Sequence, residues 1–242
     1  MPIILNKQEL ATSELRKDAL EILEAGLEAI DTEKILRRKV SLKDGVLSAG
    51  GESFNLKSFN KIIFVGIGKC ALDGAKVIED ILGDYLTDGI ALDVKSVAEA
   101  SGLKKIKYFA GTHPYPSEQN IEATKQILKM VENLTEKDLI ICLISGGGSS
   151  LFELPVDMSR TGLDTLIEKT KELTAKGADI YELNKVRKSL SQVKGGKFAK
   201  LCEPAQIISL IFSDVLGNDI SMVASGPTFF PSPSQGEGQF AE

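Results

Sequence analysis

Residues 138–150 read DLIICLISGGGSS, an apolar run followed by a turn rich in glycine and serine. The run from Leu139 to Ile144 is typical of a strand buried on both faces of a sheet. After Ser145, three glycines leave bare N–H groups that can surround an anion, and the flanking serines add hydroxyl donors. The turn therefore predicts a site for phosphate or carboxylate. The alternative is a tight connection between strand and helix that binds nothing.

Apolar runs and helical periodicities alternate on both sides of this stretch. The predicted strands are Lys61–Val65, Ile90–Val94, Ile106–Ala110, Asp138–Ile144 and Gln206–Phe212. The predicted helices between them are Ala71–Leu86, Ser117–Leu134, Thr161–Thr174 and Ile180–Val193. Such alternation predicts an α/β fold, a three-layer α/β/α Rossmann-like sandwich with a mostly parallel sheet.

The two ends of the chain differ from this pattern. A helix is predicted over Lys7–Ile30, with one buried apolar face formed by Leu15, Ala19, Ile22, Leu23 and Leu27. Short extended pieces are predicted between Val40 and Phe59, around turns at Asp44-Gly45 and Gly50-Gly51. Residues 231–242 are polar and are expected to be disordered.

Composition excludes several classes of protein. The 242 residues carry a net charge of −5, so no basic surface is expected for nucleic acid or for an anionic membrane. The three cysteines are far apart, which argues against a zinc cluster and favours a reducing compartment. No apolar run approaches the length needed to span a membrane. We therefore expect a soluble protein of the cytoplasm.

Three further turns follow predicted strands, where parallel sheets bind their ligands. The turn Val65–Ala71 fits the dinucleotide pattern G-x-G-x-x-A, with Asp93 near the end of the next strand. Lys69, which follows Gly68 at a helix start, instead favours an anion, because a positive charge there opposes the helix dipole. The alternative for Lys69 is a solvated surface side chain.

The second and third turns carry a histidine and a carboxylate. His113, the chain's one histidine, lies in the turn Gly111–Ser117 and is either a ligand-binding or a structural residue. Asp214, which follows the strand ending in IISLIF, is predicted to bind Mg²⁺ or to accept a proton. We favour Asp214 over Asp219 for this role, and the alternative is a turn-capping residue.

A polar and basic stripe is predicted on the helix that follows Ile180. Asn184, Arg187 and Ser191 are spaced so that they lie on one helix face. Such a stripe is usually a solvated surface. An asparagine and a serine within it, followed by Gly195-Gly196, indicate a more specific role.

Together these stretches resemble the class II glycerate kinases, also called glycerate 2-kinases. The motifs that carry the resemblance, in the family's order, are VGIGKCA, THPYPSE, LTEKDLIICLISGGGSSLFELP, LNKVRKSLSQVKGGKFA and SLIFSDVLGNDISMVASGP. The resemblance implies that residues 1–230 form the N-terminal, Rossmann-like lobe of such an enzyme. It further implies ATP and Mg²⁺ as cofactors and phosphorylation of D-glycerate to 2-phosphoglycerate, and a homodimer is a further expectation.

Phosphoryl transfer requires positioning and charge neutralisation more than covalent chemistry. Lys69 and Asp214 are therefore the predicted catalytic residues, with Asp214 also the predicted metal ligand. Arg187 is predicted to bind the glycerate carboxylate in bidentate fashion. The residues predicted to bind substrate or phosphate are Gly68, His113, Ser145, Gly146, Gly147, Gly148, Ser149, Asn184 and Arg187.

Three departures from the family pattern accompany the resemblance. Ser189 stands where the family usually has histidine, and Asn218 where it usually has a second aspartate. The family's smaller C-terminal lobe has no counterpart in this sequence, so we expect the chain alone to be inactive and to expose an apolar patch. Two alternative functions are an NAD(P)H-dependent hydroxypyruvate reductase and a lobe that binds ligand without catalysis.

Overall fold

A computed structural model describes residues 3–230 of the chain, apart from the side chain of Arg160. The predicted disorder of residues 231–242 lies outside the described residues. The chain divides into two compact units, with the boundary between Asn55 and Leu56. The prediction that residues 1–230 act as one lobe stays a prediction.

The first unit contains three helices and a small antiparallel sheet. The helices are α1 (Lys7–Leu10), α2 (Glu14–Ala29) and α3 (Thr32–Lys39), and the strands are β1 (Val40–Lys43), β2 (Val46–Ala49) and β3 (Glu52–Asn55). The predicted turns at Asp44-Gly45 and Gly50-Gly51 are confirmed, and all four of these residues have positive φ. Two-residue hairpin turns with positive φ match the twist of the strands that they join.

The prediction for the first helix was wrong in two respects. It is not continuous, because Ser13 caps α2 and its hydroxyl accepts a hydrogen bond from the Arg16 N–H. Nor is its apolar face buried, since 81% of Leu15 and 74% of Ile22 are exposed. Periodicity predicts that an amphipathic helix forms, but it does not predict what covers the apolar face. Helix α3, which begins after its cap Asp31, was not predicted.

The second unit is built on a five-stranded sheet in which all pairs are parallel. Its strands are β4 (Lys61–Ile67), β5 (Asp88–Asp93), β6 (Ile106–Ala110), β7 (Asp138–Ser145) and β8 (Gln206–Phe212), in the order β6-β5-β4-β7-β8. Its helices are α4 (Ala71–Leu82), α5 (Glu118–Met130), α6 (Gly148–Leu151), α7 (Arg160–Ala175), α8 (Ile180–Leu190) and α9 (Lys197–Leu201).

Helices cover both faces of this sheet. Val65 and its neighbours on one face pack in a core cluster with Ile121 and Ile127 of α5. On the other face α4 approaches so closely that a side chain at Gly74 would overlap Leu143. Strand β7 is buried along its whole length, as expected for a central parallel strand. The predicted three-layer α/β/α fold is confirmed.

Three helices end earlier than predicted, and one of them is α5, which ends at Met130 instead of Leu134. Helix α4 ends at Leu82, where Gly83 has a positive φ and continues into a short 3-10 turn. Helix α8 ends at Leu190, and Ser191 has extended backbone. The prediction that Ser191 shares a helix face with Asn184 and Arg187 was therefore wrong. Within residues 3–230, no helix combines the length and the apolar character needed to cross a membrane.

Candidate functional site

The candidate site lies at the carboxyl edge of the five-stranded sheet. Strands β4 and β7 are neighbours at the centre, and the strand order reverses between them. Ligands of open α/β sheets bind at such a reversal, outside the carboxyl ends of the strands. The turn with Gly68 and Lys69 follows β4, and the glycine loop, which we define as Gly146–Gly148, follows β7.

These two turns are bonded to each other. The Lys69 N–H donates to the Gly146 carbonyl at 3.0 Å, and the Cys70 N–H donates to Ser145 Oγ at 3.1 Å. Gly68, with φ of 112°, lies so close to Ser145 that a Cβ atom would overlap that residue. Gly68 and Ser145 thus join the two turns. That these two residues also bind a ligand stays a prediction.

Two side chains approach the glycine loop at Gly147. A Cβ atom on this residue would lie 3.1 Å from Lys69 Cε and 3.3 Å from His113 Cδ2. The side chains of Lys69 and His113 therefore both lie beside Gly147. Gly147 has a φ of 85°, which glycine adopts without strain. The Lys69 ammonium has no hydrogen-bond or ion-pair partner among the described residues. The structure therefore brings three predicted site residues together.

The charge near His113 is positive. Desolvation lowers the pKa of His113, and the charges of Lys69 and Arg187 lower it further. Arg187 is itself half-buried, and desolvation lowers its pKa from the usual value. Across residues 3–230, its guanidinium makes no hydrogen bond or ion pair. Lys69 is exposed, so Arg187 is the informative residue: a half-buried cation without a partner among the described residues favours an anionic ligand.

Asn120 holds the turn that carries His113. Its Oδ1 accepts hydrogen bonds from the Thr112 N–H at 2.9 Å and the Ser117 N–H at 3.2 Å. Its Nδ2 donates to the Ser150 carbonyl at 2.9 Å, which joins this turn to the end of the glycine loop. The sequence analysis missed Asn120. The available signal was its position three residues after the helix cap Ser117, where a capping box places a polar side chain.

Asp214 lies on the other flank of the glycine loop. A Cβ atom at Gly146 would overlap the Asp214 carboxylate, which has no hydrogen-bond or ion-pair partner in the described part of the chain. The described residues contain no cluster of three or more His, Cys, Asp or Glu side chains that could hold a metal. Mg²⁺ is often bound by one or two carboxylates and substrate phosphates, so a single carboxylate fits it. Asp219, in contrast, caps its own turn by accepting from the Ser221 N–H.

Asn184 and Ser149 connect α8 to the helix after the glycine loop. Ser225 Oγ donates to Asn184 Oδ1 at 2.7 Å and lies 2.8 Å from Ser149 Oγ. Because a hydroxyl has one proton, Ser149 must be the donor in the second bond. Gly148 packs directly against Ala224, leaving no space for a side chain. The structure thus places Ser149, Asn184 and Gly148 in supporting contacts, and Ser225 was not predicted.

Comparison with known proteins assigns the chain to a family. A family model described as "Domain of unknown function (DUF4147)" matches residues 18–239. The chain belongs to the DUF4147 family.

Curated relatives of this DUF4147 chain are named as kinases. D-glycerate 2-kinase of Thermotoga maritima is 34% identical over 223 residues, which cover 92% of this chain and 49% of the relative. Glycerate 2-kinase of Pyrococcus horikoshii is 37% identical, with 89% of this chain and 47% of the relative covered. Human glycerate kinase is 34% identical, with 88% and 43% covered. The resemblance to glycerate 2-kinases is confirmed.

Solved structures agree with the fold of the DUF4147 chain. The crystal structure of glycerate kinase from Thermotoga maritima has a TM-score of 0.74 and 34% identity, covering 89% of this chain and 48% of that one. A Pyrococcus horikoshii protein of known structure has a TM-score of 0.77 and 36% identity, with 90% and 48% covered. The chain therefore spans about half the length of the relatives that it matches.

The dinucleotide pattern in this DUF4147 chain lacks the donors that such a cofactor needs. The N–H groups of Gly68, Lys69 and Cys70 all donate to acceptors within the protein. Asp93, which would have to bind a ribose, is fully buried and accepts from the N–H groups of Leu72 and Val94. Burial raises the pKa of Asp93. These contacts and the named relatives favour the kinase over the reductase.

Proposed function

We propose that this chain binds D-glycerate and the phosphates of ATP at the carboxyl edge of its sheet, as part of a glycerate 2-kinase. One observation carries the proposal. Lys69 and His113 lie beside the bare backbone of Gly147, and the charges of Lys69 and Arg187, two cations without a partner among the described residues, both act on His113. Relatives named glycerate kinase support D-glycerate as the substrate. The predicted lobe of residues 1–230 is part of the same proposal.

Each group in the site has a distinct task in this proposal. Lys69 neutralises negative charge that develops on the transferring phosphoryl group. Arg187 binds the glycerate carboxylate through its planar fork of donors. The glycine loop permits close approach of ligand oxygens because no side chain intervenes. Asp214 would hold the Mg²⁺ that ATP carries, and the metal would supply neutralisation of phosphate charge.

The cellular setting is inferred from the cysteines. Cys70, Cys142 and Cys202 are all free thiols, which supports a reducing compartment such as the cytoplasm. The ligands that we propose are small molecules. A homodimer stays a prediction.

Two measurements on the purified chain test the function. Isothermal titration calorimetry should show binding of D-glycerate, and acetate serves as the control for nonspecific carboxylate binding. A coupled assay with D-glycerate and magnesium-ATP should then show whether this length of chain turns over. Because the chain alone is expected to be inactive, only binding without turnover in the presence of a supplied second lobe would favour the ligand-binding lobe. Absence of binding, or hydroxypyruvate-dependent oxidation of NADH, would contradict the proposal.

A further inference from the structure

A fully buried ion pair lies directly behind the candidate site. Lys194 Nζ is 3.0 Å from Glu153 Oε2, and both side chains are 0% exposed. The Lys194 ammonium also donates to the Phe152 carbonyl at 2.7 Å. The backbone N–H of Glu153 donates to Thr124 Oγ1 of α5 at 3.2 Å. The pair therefore joins the segment after the glycine loop to the segment that follows α8.

The Glu153 carboxylate is not satisfied by Lys194 alone. Within the described chain, neither of its oxygens accepts a hydrogen bond of good geometry, although the ammonium is at ion-pair distance. A buried charge without full hydrogen bonding is costly, and such groups in native proteins usually have a specific reason to be there. Both oxygens of the Glu153 carboxylate can therefore still interact with other cations.

The stretch 187–197 supplies those cations. Lys197 Nζ donates to the Lys188 carbonyl at 2.9 Å and the Ser191 carbonyl at 2.7 Å, which fixes the end of α8 that carries Arg187. Burial lowers the pKa of Arg187, Lys194 and Lys197, and the charge of Glu153 opposes that effect at all three. Glu153 is thus a shared counter-charge for this stretch.

We propose that Glu153 is a positioning residue for the anion site: its buried carboxylate holds the 187–197 stretch, and with it Arg187, in place beside the glycine loop. The inference rests on the proposed function, since it assumes that Arg187 binds the anionic substrate. Lys194 pairs directly with Glu153, whereas Arg187 and Lys197 are influenced by its charge without bonding to it, so the cluster keeps an excess of positive charge. A bound carboxylate or phosphate supplies the missing negative charge.

Three variants separate this role from a structural one. Glu153→Gln leaves the Lys194 ammonium buried without its partner, so its melting temperature should fall. The double variant Glu153→Gln with Lys194→Met removes both charges and should recover most of the loss, because neutral pairs often replace buried ion pairs without penalty. The matched control, called the α7 control, neutralises an exposed pair at the C-terminal end of α7, as Glu172→Gln with Lys176→Met.

The main readout is the Nε–Hε signal of Arg187 in ¹⁵N NMR, assigned by its loss in Arg187→Lys. In the parent we expect one resolved signal whose chemical shift differs from that of a free arginine, as for a side chain held in one position. In the double variant the signal should broaden or move toward the shift of a free arginine, and the affinity for D-glycerate should fall about tenfold or more, while the α7 control changes neither.

Two results would overturn the inference. One is a parent in which Arg187 already shows the chemical shift of a free arginine, which would refute the role of Glu153 even if no variant folds. The other is a double variant that keeps both the parent signal and the parent affinity. A parent that fails to bind D-glycerate contradicts the proposed function instead, and the Arg187 signal still tests the role of Glu153.

Discussion

Replacing Gly147 with alanine tests whether the glycine loop binds a ligand or only turns the chain. The added Cβ atom would lie 3.1 Å from Lys69 Cγ and Cε and 3.3 Å from His113 Cδ2. Those distances are tighter than ordinary contacts, so both side chains must shift by a few tenths of an ångström. The backbone also has to keep a φ of 85°, which an alanine adopts at a cost.

The expected loss of stability follows from that backbone cost. A left-handed conformation costs a non-glycine residue about 1–2 kcal/mol. For a chain of this size, each kcal/mol shifts the melting temperature by about 2–4 °C. We therefore expect Gly147→Ala to melt roughly 2–8 °C below the parent. Movement of Lys69 and His113 should in addition abolish the stabilisation by ligand.

Gly177→Ala is the matched control. Gly177 has a φ of 75°, and nothing lies within 4 Å of the position that its Cβ would take. It therefore carries a similar backbone cost without disturbing Lys69 or His113. In a thermal shift assay, D-glycerate at about 100 times its dissociation constant stabilises the parent by about 2.7 kcal/mol. Gly177→Ala should keep that shift and Gly147→Ala should lose it; an undiminished shift in folded Gly147→Ala would refute the reasoning.

The remaining predictions concern three charged groups. Lys69→Ala should fold normally and lower phosphoryl transfer by about 100- to 1000-fold in a coupled assay of a turnover-competent enzyme; unchanged turnover would exclude its role. NMR titration of His113 should give a pKa below 6.5 that rises in Lys69→Ala; because the folded pKa is depressed, stability should decline as the pH falls below about 6.5. Asp214→Asn should weaken magnesium-ATP binding in calorimetry while D-glycerate binding persists.

The sheet could be predicted because its signals are local. Strands β6 and β8 have the bounds that the apolar runs indicate, and β7 differs by one residue. Strand β7, which is buried along its whole length, leaves a short continuous apolar run, and its length and the glycines that follow distinguish it from a buried helix. The exposed face of α2 could not be predicted in the same way, since an amphipathic pattern does not identify the surface that covers it.

The site was predictable as a set of turns but not as a set of contacts. Each turn was recognisable because its polar residues follow a strand, and parallel strands place their carboxyl ends at one edge. The contact of Ser145 with Cys70 joins residues 75 positions apart, and that of Asn120 with Ser150 joins residues 30 apart. The ion pair of Glu153 and Lys194 was not predicted for the same reason. Local sequence patterns do not identify a partner that is distant along the chain.

The arrangement of charge around the glycine loop supports a division of the site into two flanks. Lys69 and His113 approach at Gly147, whereas the Asp214 carboxylate approaches at Gly146, one residue earlier in the loop. Lys69 and Asp214 make no ion pair within residues 3–230, so each charge is available to a ligand. A ligand that carries negative oxygens on one side and a metal ion on the other satisfies both flanks at once. Magnesium-ATP beside a carboxylate substrate has that distribution of charge, which is why both flanks support one proposal.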